Sequence, residues 1–314
     1  MKAGKASFTA RHVAAWRGLA SFLPEPFRSL APDPFGVTLA GTPYTWLAAL
    51  LARFPQLTTF LFSRGAFRRN TLYMAVRTRT IDDALRRFVR AGGRQVILLG
   101  AGLDARALRL CGELGAAVTF FEVDHPDSQA QKRLSLVAVT RTSAHVEALN
   151  AIRFVAHDFE TGVRTALPSK LADAGFVASQ RCFVVWEAVV MYLSDAAIAD
   201  TVSLLRDTTA PGSQLAVLYI ESPPVGQGAF SALNQTYMRL RMLLFLLWLQ
   251  HYAKEPMLSD GWRADELPGW FAIRGFKRLW DERHDESSQR LGTPTDVPNP
   301  LMKRSRIALL ERVK

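Results

Sequence analysis

Apolar residues along this chain gather in short unbroken runs separated by longer stretches with helical spacing. The runs near 95–99, 118–123, 152–156, 182–187 and 214–220 are rich in β-branched and aromatic residues and too short for helices. Strands buried on both faces of a parallel sheet read in this way. The segments between them are of helical length, so the pattern predicts a doubly wound α/β core. Near the end, Gly275 to Trp280 and Ser305 to Val313 are two further strand candidates with no clear helix-length segment between them. Ahead of the first strand, Ser7 to Leu39 reads as helices broken by prolines. The next stretch, Thr45 to Phe62, is strongly apolar, but Arg53 and Pro55 interrupt it before it reaches bilayer length. Thr80-Ile81-Asp82-Asp83 predicts a helix start with Thr80 as the cap, and Gly92-Gly93 predicts its end. Asp82 and Asp83 each stand four residues before Arg86 and Arg87, a spacing that predicts surface pairs and leaves Arg77 and Arg79 ahead of the cap.

The domain organisation expected from this pattern is a helical N-terminal cover over residues 1–94 and a core over residues 95–314. The core carries an insertion at about 222–268, ahead of the last two strands. Within the insertion, Met242 to Leu249 is an apolar run far short of a bilayer span. It is expected to pack on the cover, so that the two together wall an apolar substrate pocket.

The chain has 314 residues, 49% hydrophobic and 21% charged, enough to bury a sizeable core and outside the composition of disordered proteins. Cys111 and Cys182 give neither a disulfide framework nor a metal-ligand spacing, which suits a reducing cytoplasm. Six scattered histidines also lack ligand spacing, so no metal is expected. Arg17 interrupts the N-terminal apolar residues before a signal-peptide core forms. The net charge of +11 is unevenly placed, since residues 1–94 hold fifteen Lys and Arg against four acids while the remainder is balanced. A basic front of this kind suits a solvated face, with an anionic partner, a membrane surface or nucleic acid as the alternatives, and membrane contact is not favoured. No basic run is interleaved with aromatics, so nucleic acid is not expected.

The candidate chemistry lies at Gln95 to Arg106, where the first strand breaks into a glycine turn and re-emerges as a helix. Gly100 and Gly102 let a ligand lie against the backbone, and the free N–H groups of the next helix face it. About twenty residues on, the second strand ends in Glu122-Val123-Asp124, and an acid at that tip is placed to accept hydrogen bonds from ribose hydroxyls. Asp124 is the candidate, with Glu122 two residues earlier on the same face. Two nucleoside cofactors fit a turn of this kind. Gly100-x-Gly102-x-x-Ala105 satisfies the degenerate dinucleotide fingerprint of an NAD(P)-dependent oxidoreductase. Asp104 argues against that reading, because its charge would oppose a pyrophosphate at the helix N-terminus. S-adenosylmethionine carries no phosphate, and Asp104 is compatible with its cationic end.

The blocks Gly100-Ala-Gly-Leu-Asp-Ala-Arg-Ala-Leu-Arg-Leu110, Phe121-Glu-Val-Asp-His-Pro126 and Trp186-Glu-Ala-Val-Val-Met-Tyr-Leu193 resemble the leucine carboxyl methyltransferase family and its bacterial relatives, in order and in spacing. Tyr73-Met-Ala-Val-Arg77-Thr-Arg79-Thr-Ile-Asp-Asp83 is similar to the arginine-bearing block upstream of the family's glycine turn. The resemblance is strongest from Arg77 to Leu193 and thin between Pro223 and Asp260. It implies the Rossmann-like, seven-stranded fold of class I methyltransferases, with an antiparallel final strand and S-adenosyl-L-methionine as cofactor. It further implies Arg77 for the cofactor carboxylate, with Arg79 as fallback, Gly100 and Gly102 along methionine and ribose, Asp158 at adenine and Glu187 near the ammonium group. The activity implied is transfer of the methyl group to an oxygen, on a small-molecule or peptide carboxylate. A carboxylate is already ionised at pH 7, so no catalytic base is then required; a hydroxyl acceptor would need one, and His157 is the first candidate.

Overall fold

A computed structural model describes residues 8–115, 117–139, 148–222, 258–259, 261–298 and 302–313. The apolar run Met242 to Leu249 and most of the expected insertion lie outside the described residues. Seven strands form one sheet: β1 (Gln95–Leu99), β2 (Thr119–Asp124), β3 (Ile152–Ala156), β4 (Cys182–Glu187), β5 (Gln214–Ile220), β6 (Phe276–Arg283) and β7 (Ser305–Arg312). Their order is β3-β2-β1-β4-β5-β7-β6. The first five pair in parallel, and β7 runs antiparallel to both β5 and β6. The five parallel strands stand within a residue of the apolar runs; β1, β2, β4 and β5 are almost wholly buried, so no polar side blurs their limits, whereas β3 is the half-exposed edge strand. Alternate residues divide the core in two. Val96, Leu98, Phe120 and Phe183 share one cluster with Ile81 and Leu85, whereas Ile97, Leu99, Phe121, Val184 and Trp186 share another with Leu167, Val202 and Phe271.

Ahead of the sheet come α1 (Phe8–Leu19), α2 (Gly36–Ala40), α3 (Tyr44–Arg53), α4 (Pro55–Ser63) and α5 (Gly65–Arg90). The apolar stretch 45–62 is thus two helices, divided where Phe54 leaves helical geometry and Pro55 opens the next helix. α5 corrects the sequence reading. It starts at Gly65 rather than at Thr80, and Thr80 is buried mid-helix with its hydroxyl beside the Arg290 guanidinium at 3.3 Å. The cap signal was local, but no breaker interrupts residues 65–90, and the buried face extends back through Leu72 and Val76. Arg77 and Arg79 are therefore helical residues, and Asp82 is buried rather than a surface partner of Arg86.

After the sheet's first strand follow α6 (Arg106–Leu114), α7 (Pro126–Val139), α8 (Val163–Asp173), α9 (Asp195–Thr208), α10 (Leu267–Ala272) and α11 (His284–Arg290). α11 fills the interval between the last two strands, where no clear helix-length segment is predicted. It is seven residues long and polar, with two buried serines, so it lacks the apolar periodicity that marks the longer helices. Among the described residues, no helix is long and apolar enough to cross a membrane.

Candidate active site

The glycine turn after β1 is pinned to the end of β2. The Gly100 and Ala101 N–H groups both donate to the Val123 carbonyl, at 2.8 and 3.1 Å. Gly102 N–H donates to Asp124 Oδ2 at 2.5 Å, and His125 N–H donates to Asp124 Oδ1 at 2.7 Å. Gly100 has φ +65°, and a Cβ there would stand 2.4 Å from a Val189 methyl carbon, so both conformation and space require glycine. Asp124 is partly buried, and burial raises its pKa against the lowering effect of the two backbone donors. Each of its oxygens has one backbone donor and one remaining lone pair. Two vicinal hydroxyls could be held by that carboxylate. Glu122 is not equivalent to it: its side chain is 1% exposed, and Oε2 accepts from Lys132 Nζ at 2.6 Å. The same ammonium group donates to the Asp104 carbonyl, which ties α7 to the glycine turn.

Glu187, at the end of β4, gathers three guanidinium groups. Arg17 Nη2 and Arg77 Nε each donate to Oε1 at 2.7 Å, and Arg106 Nη2 donates to Oε2 at 3.0 Å. Burial alone would raise the Glu187 pKa, but Arg17, Arg77 and Arg106 outweigh it and hold the carboxyl well below its ordinary range. Asp104 behaves alike: burial opposes ionisation, and Arg106 and Arg17 overcome it. Its Oδ1 accepts the Arg106 N–H at 2.7 Å at the start of α6, while Oδ2 accepts from the Arg106 guanidinium. Arg106 and Arg109 further pair with Asp82 at 2.6 and 2.9 Å, which explains the burial of Asp82. The result is an ion network spanning α1, α5, the glycine turn, α6 and β4.

Arg77 has an acidic partner that the sequence did not reveal. With Nε committed to Glu187, its Nη2 is buried without a hydrogen-bond partner. A buried N–H left unmade is costly unless a ligand completes it, and the donor suits a carboxylate. Arg79 is elsewhere, 37% exposed and paired with Asp83 at 2.7 Å. Asp158 follows β3 and accepts the Glu160 N–H at 3.0 Å in a tight turn rather than capping α8, whose N-cap is Gly162. His157 is 3% exposed with Nε2 buried and unpartnered, and burial lowers its pKa. Tyr219 is a core residue whose hydroxyl donates to Asp281 at 2.8 Å.

Arg17, Arg106 and Lys132 were missed from sequence. The available signal was a cation inside an apolar segment, as at Arg17 between Ala14, Ala15 and Leu19, which are themselves buried. The orphaned Arg77 donor and the two spare acceptors of Asp124 fit a nucleoside with a free carboxylate.

The leucine carboxyl methyltransferase family profile matches residues 10–206 of this chain. The chain belongs to that family. A relative from Mycobacteroides abscessus, provisionally named an S-adenosyl-L-methionine-dependent methyltransferase, is 30% identical over 301 residues, covering 94% of this chain and 90% of the relative. A relative from Parafrankia with the same provisional name is 37% identical over 148 residues, and the match spans 43% of that protein. Among solved structures, a provisionally named methyltransferase from Thermobifida fusca superposes with TM-score 0.55 at 16% identity, over 99% of this chain and 96% of the other. A protein from Streptomyces avermitilis does so with TM-score 0.54 at 13% identity, over 99% of each chain. The two structures support the α/β fold. Family membership makes this a methyltransferase with S-adenosyl-L-methionine as its cofactor, and the oxidoreductase alternative finds no support. In this methyltransferase, Asp104 is an internal partner of Arg17 and Arg106.

Proposed function

We propose that this S-adenosyl-L-methionine-dependent methyltransferase esterifies a carboxylate. When bound, the cofactor supplies an electrophilic methyl group: an O–C bond forms to the acceptor as the C–S bond breaks and its electron pair stays on sulfur. In this reading Arg77 Nη2 takes the cofactor carboxylate, the Asp124 oxygens accept from the ribose hydroxyls, the turn at Gly100 and Gly102 lies along the methionine and ribose, and Asp158 accepts from the adenine amino group. Glu187 is a positioning residue that fixes Arg77, a change from the direct ammonium contact that the resemblance implied. The helical region 8–94 covers the site through α1, whose Arg17 reaches Glu187 and whose Ala10 methyl would stand 3.3 Å from a Cβ at Gly102.

The observation that carries the carboxylate reading is the position of His157. Its ring is buried at the end of β3, and β3 stands three strands from β4, where Glu187 and Arg77 meet. At the usual strand spacing that is about 14 Å. A base there is poorly placed for an acceptor near the methionine end. His12, partly buried, and His284, buried, also have lowered pKa, His284 down to about 4. An acceptor that arrives ionised needs none of them. Neither Cys111 nor Cys182 is in a disulfide, which fits work in a reducing cytoplasm.

The decisive experiment is single-turnover methyl transfer with a labelled cofactor and a panel of peptide and small-molecule carboxylates. The rate should be flat from about pH 6 to 8, since carboxylates ionise near pH 4. The product should be base-labile and His157→Ala should retain activity. A limb at or below pH 6.5 that vanishes in His157→Ala, together with a base-stable product, would make this an ether-forming enzyme. The cofactor assignment has a separate check. Asp124→Ala should weaken S-adenosylhomocysteine binding by about 1–3 kcal/mol in titration calorimetry, the scale of hydrogen bonds to a charged group. An unchanged affinity would remove Asp124 from the ribose site.

A further inference from the structure

α3 and α4 turn their apolar sides outward. Leu51, Thr58 and Phe62 anchor the two helices to the protein, and Leu51 and Phe62 join the cluster that contains Leu19, Leu72 and Val76. On the opposite side, Trp46 is 73% exposed and Phe60 is 66% exposed, and Leu50, Phe54 and Leu57 are about half exposed. Trp46 and Leu50 stand at i and i+4 of α3, and Leu57 and Phe60 at i and i+3 of α4, so each pair shares one helical side, with Phe54 at the junction between the two helices. Five large apolar side chains in one outward surface exceed the single exposures of an ordinary monomer and mark an interaction site.

The segment that carries this surface has charge of one sign. Between Asp33 and Asp82 the sequence has no acid and six arginines. Arg53, at the end of α3, and Arg64, just after α4, are both exposed, and the Arg53 guanidinium lies 5.7 Å from the Phe54 ring centroid. We propose that the α3–α4 surface docks this enzyme on an anionic lipid membrane. Trp, Phe and Leu side chains enter the headgroup boundary, and Arg53 and Arg64 meet lipid phosphates. At ten and nine residues the helices are too short to span, so they lie on the surface. A second copy of the chain is a poorer occupant, because it would set Arg53 and Arg64 against the same two arginines of the other copy.

The test is co-sedimentation of the full chain with vesicles of phosphatidylcholine alone and with about one-third phosphatidylglycerol. Wild type should bind the anionic vesicles at least about tenfold more strongly, and salt should reduce the difference. The paired substitutions Trp46→Ser with Phe60→Ser, and Arg53→Glu with Arg64→Glu, should each lower that binding about tenfold or more. S-adenosylhomocysteine affinity and the unfolding midpoint should stay at wild-type values, as these side chains are exposed. Failure of wild type to bind anionic vesicles, or equal binding by both variant pairs, overturns the proposal. A concentration-dependent dimer abolished by the serine pair would assign the surface to a second copy. A lowered unfolding midpoint in the serine pair with unchanged vesicle binding would mean that the chain covers its own patch.

Discussion

Glu187→Gln is expected to destabilise the folded chain by about 3–5 kcal/mol at pH 7, the cost of removing one partner from a buried ion cluster. The carboxylate is 4% exposed and neutralises three guanidinium groups whose side chains are 0–6% exposed. The amide keeps the shape, but it loses the charge and turns two N–H donors toward groups that are themselves donors. Arg106 would keep Asp82 and Asp104, and Arg17 would keep Asp104 at 3.5 Å. Arg77 would lose its Glu187 ion pair. The effect should follow pH in one direction. Folding depresses the Glu187 pKa below its unfolded value of about 4.3, so the stabilisation is full above that value and disappears as pH falls through the folded pKa. The gap between wild type and variant in denaturant unfolding should therefore be constant from about pH 6 to 8 and narrow in acid. A wild-type midpoint for the variant at pH 7, or a gap that widens in acid, would show that Glu187 does not anchor the network.

The sheet was readable because its information is local. Each parallel strand is a short apolar run ended by glycine or charge, and Gly100 announces the turn that its φ of +65° requires. The acid at the tip of β2 was readable for the same reason, since chain position alone puts Asp124 beside the turn. The ion network was not. Arg17 and Glu187 are 170 positions apart, and Arg77 and Glu187 are 110 apart. Nothing in either neighbourhood marks the partner. Local rules also misassigned Asp82, where a capping pattern and a four-residue spacing to Arg86 suggested a solvated helix start. The guanidinium that pairs with it at 2.6 Å comes from Arg106 on α6, beyond the following strand. The site was thus legible as backbone and strand tips, whereas the buried charges that fix its arginines became visible only in three dimensions.

Those charges also set the expectation for Arg77. Its Nε holds Glu187 at 2.7 Å and its Nη2 is a buried spare donor, so one planar group has two tasks in two directions. Arg77→Ala should weaken S-adenosylhomocysteine binding by about 2–5 kcal/mol, the range for truncating one member of a buried charged pair. Arg77→Lys should cost nearly as much. A lysine ammonium keeps the charge, but as a compact point on a flexible stem it cannot hold Glu187 and present a fixed second N–H to the cofactor carboxylate. The two variants should differ in stability, because lysine still neutralises Glu187 and alanine leaves it with Arg17 and Arg106 alone. Titration calorimetry together with denaturant unfolding separates the roles. If Arg77→Lys binds S-adenosylhomocysteine like wild type, the spare Nη2 is not the carboxylate donor. If Arg79→Ala alone abolishes binding, the assignment moves two residues along α5, to a side chain that the structure places against Asp83.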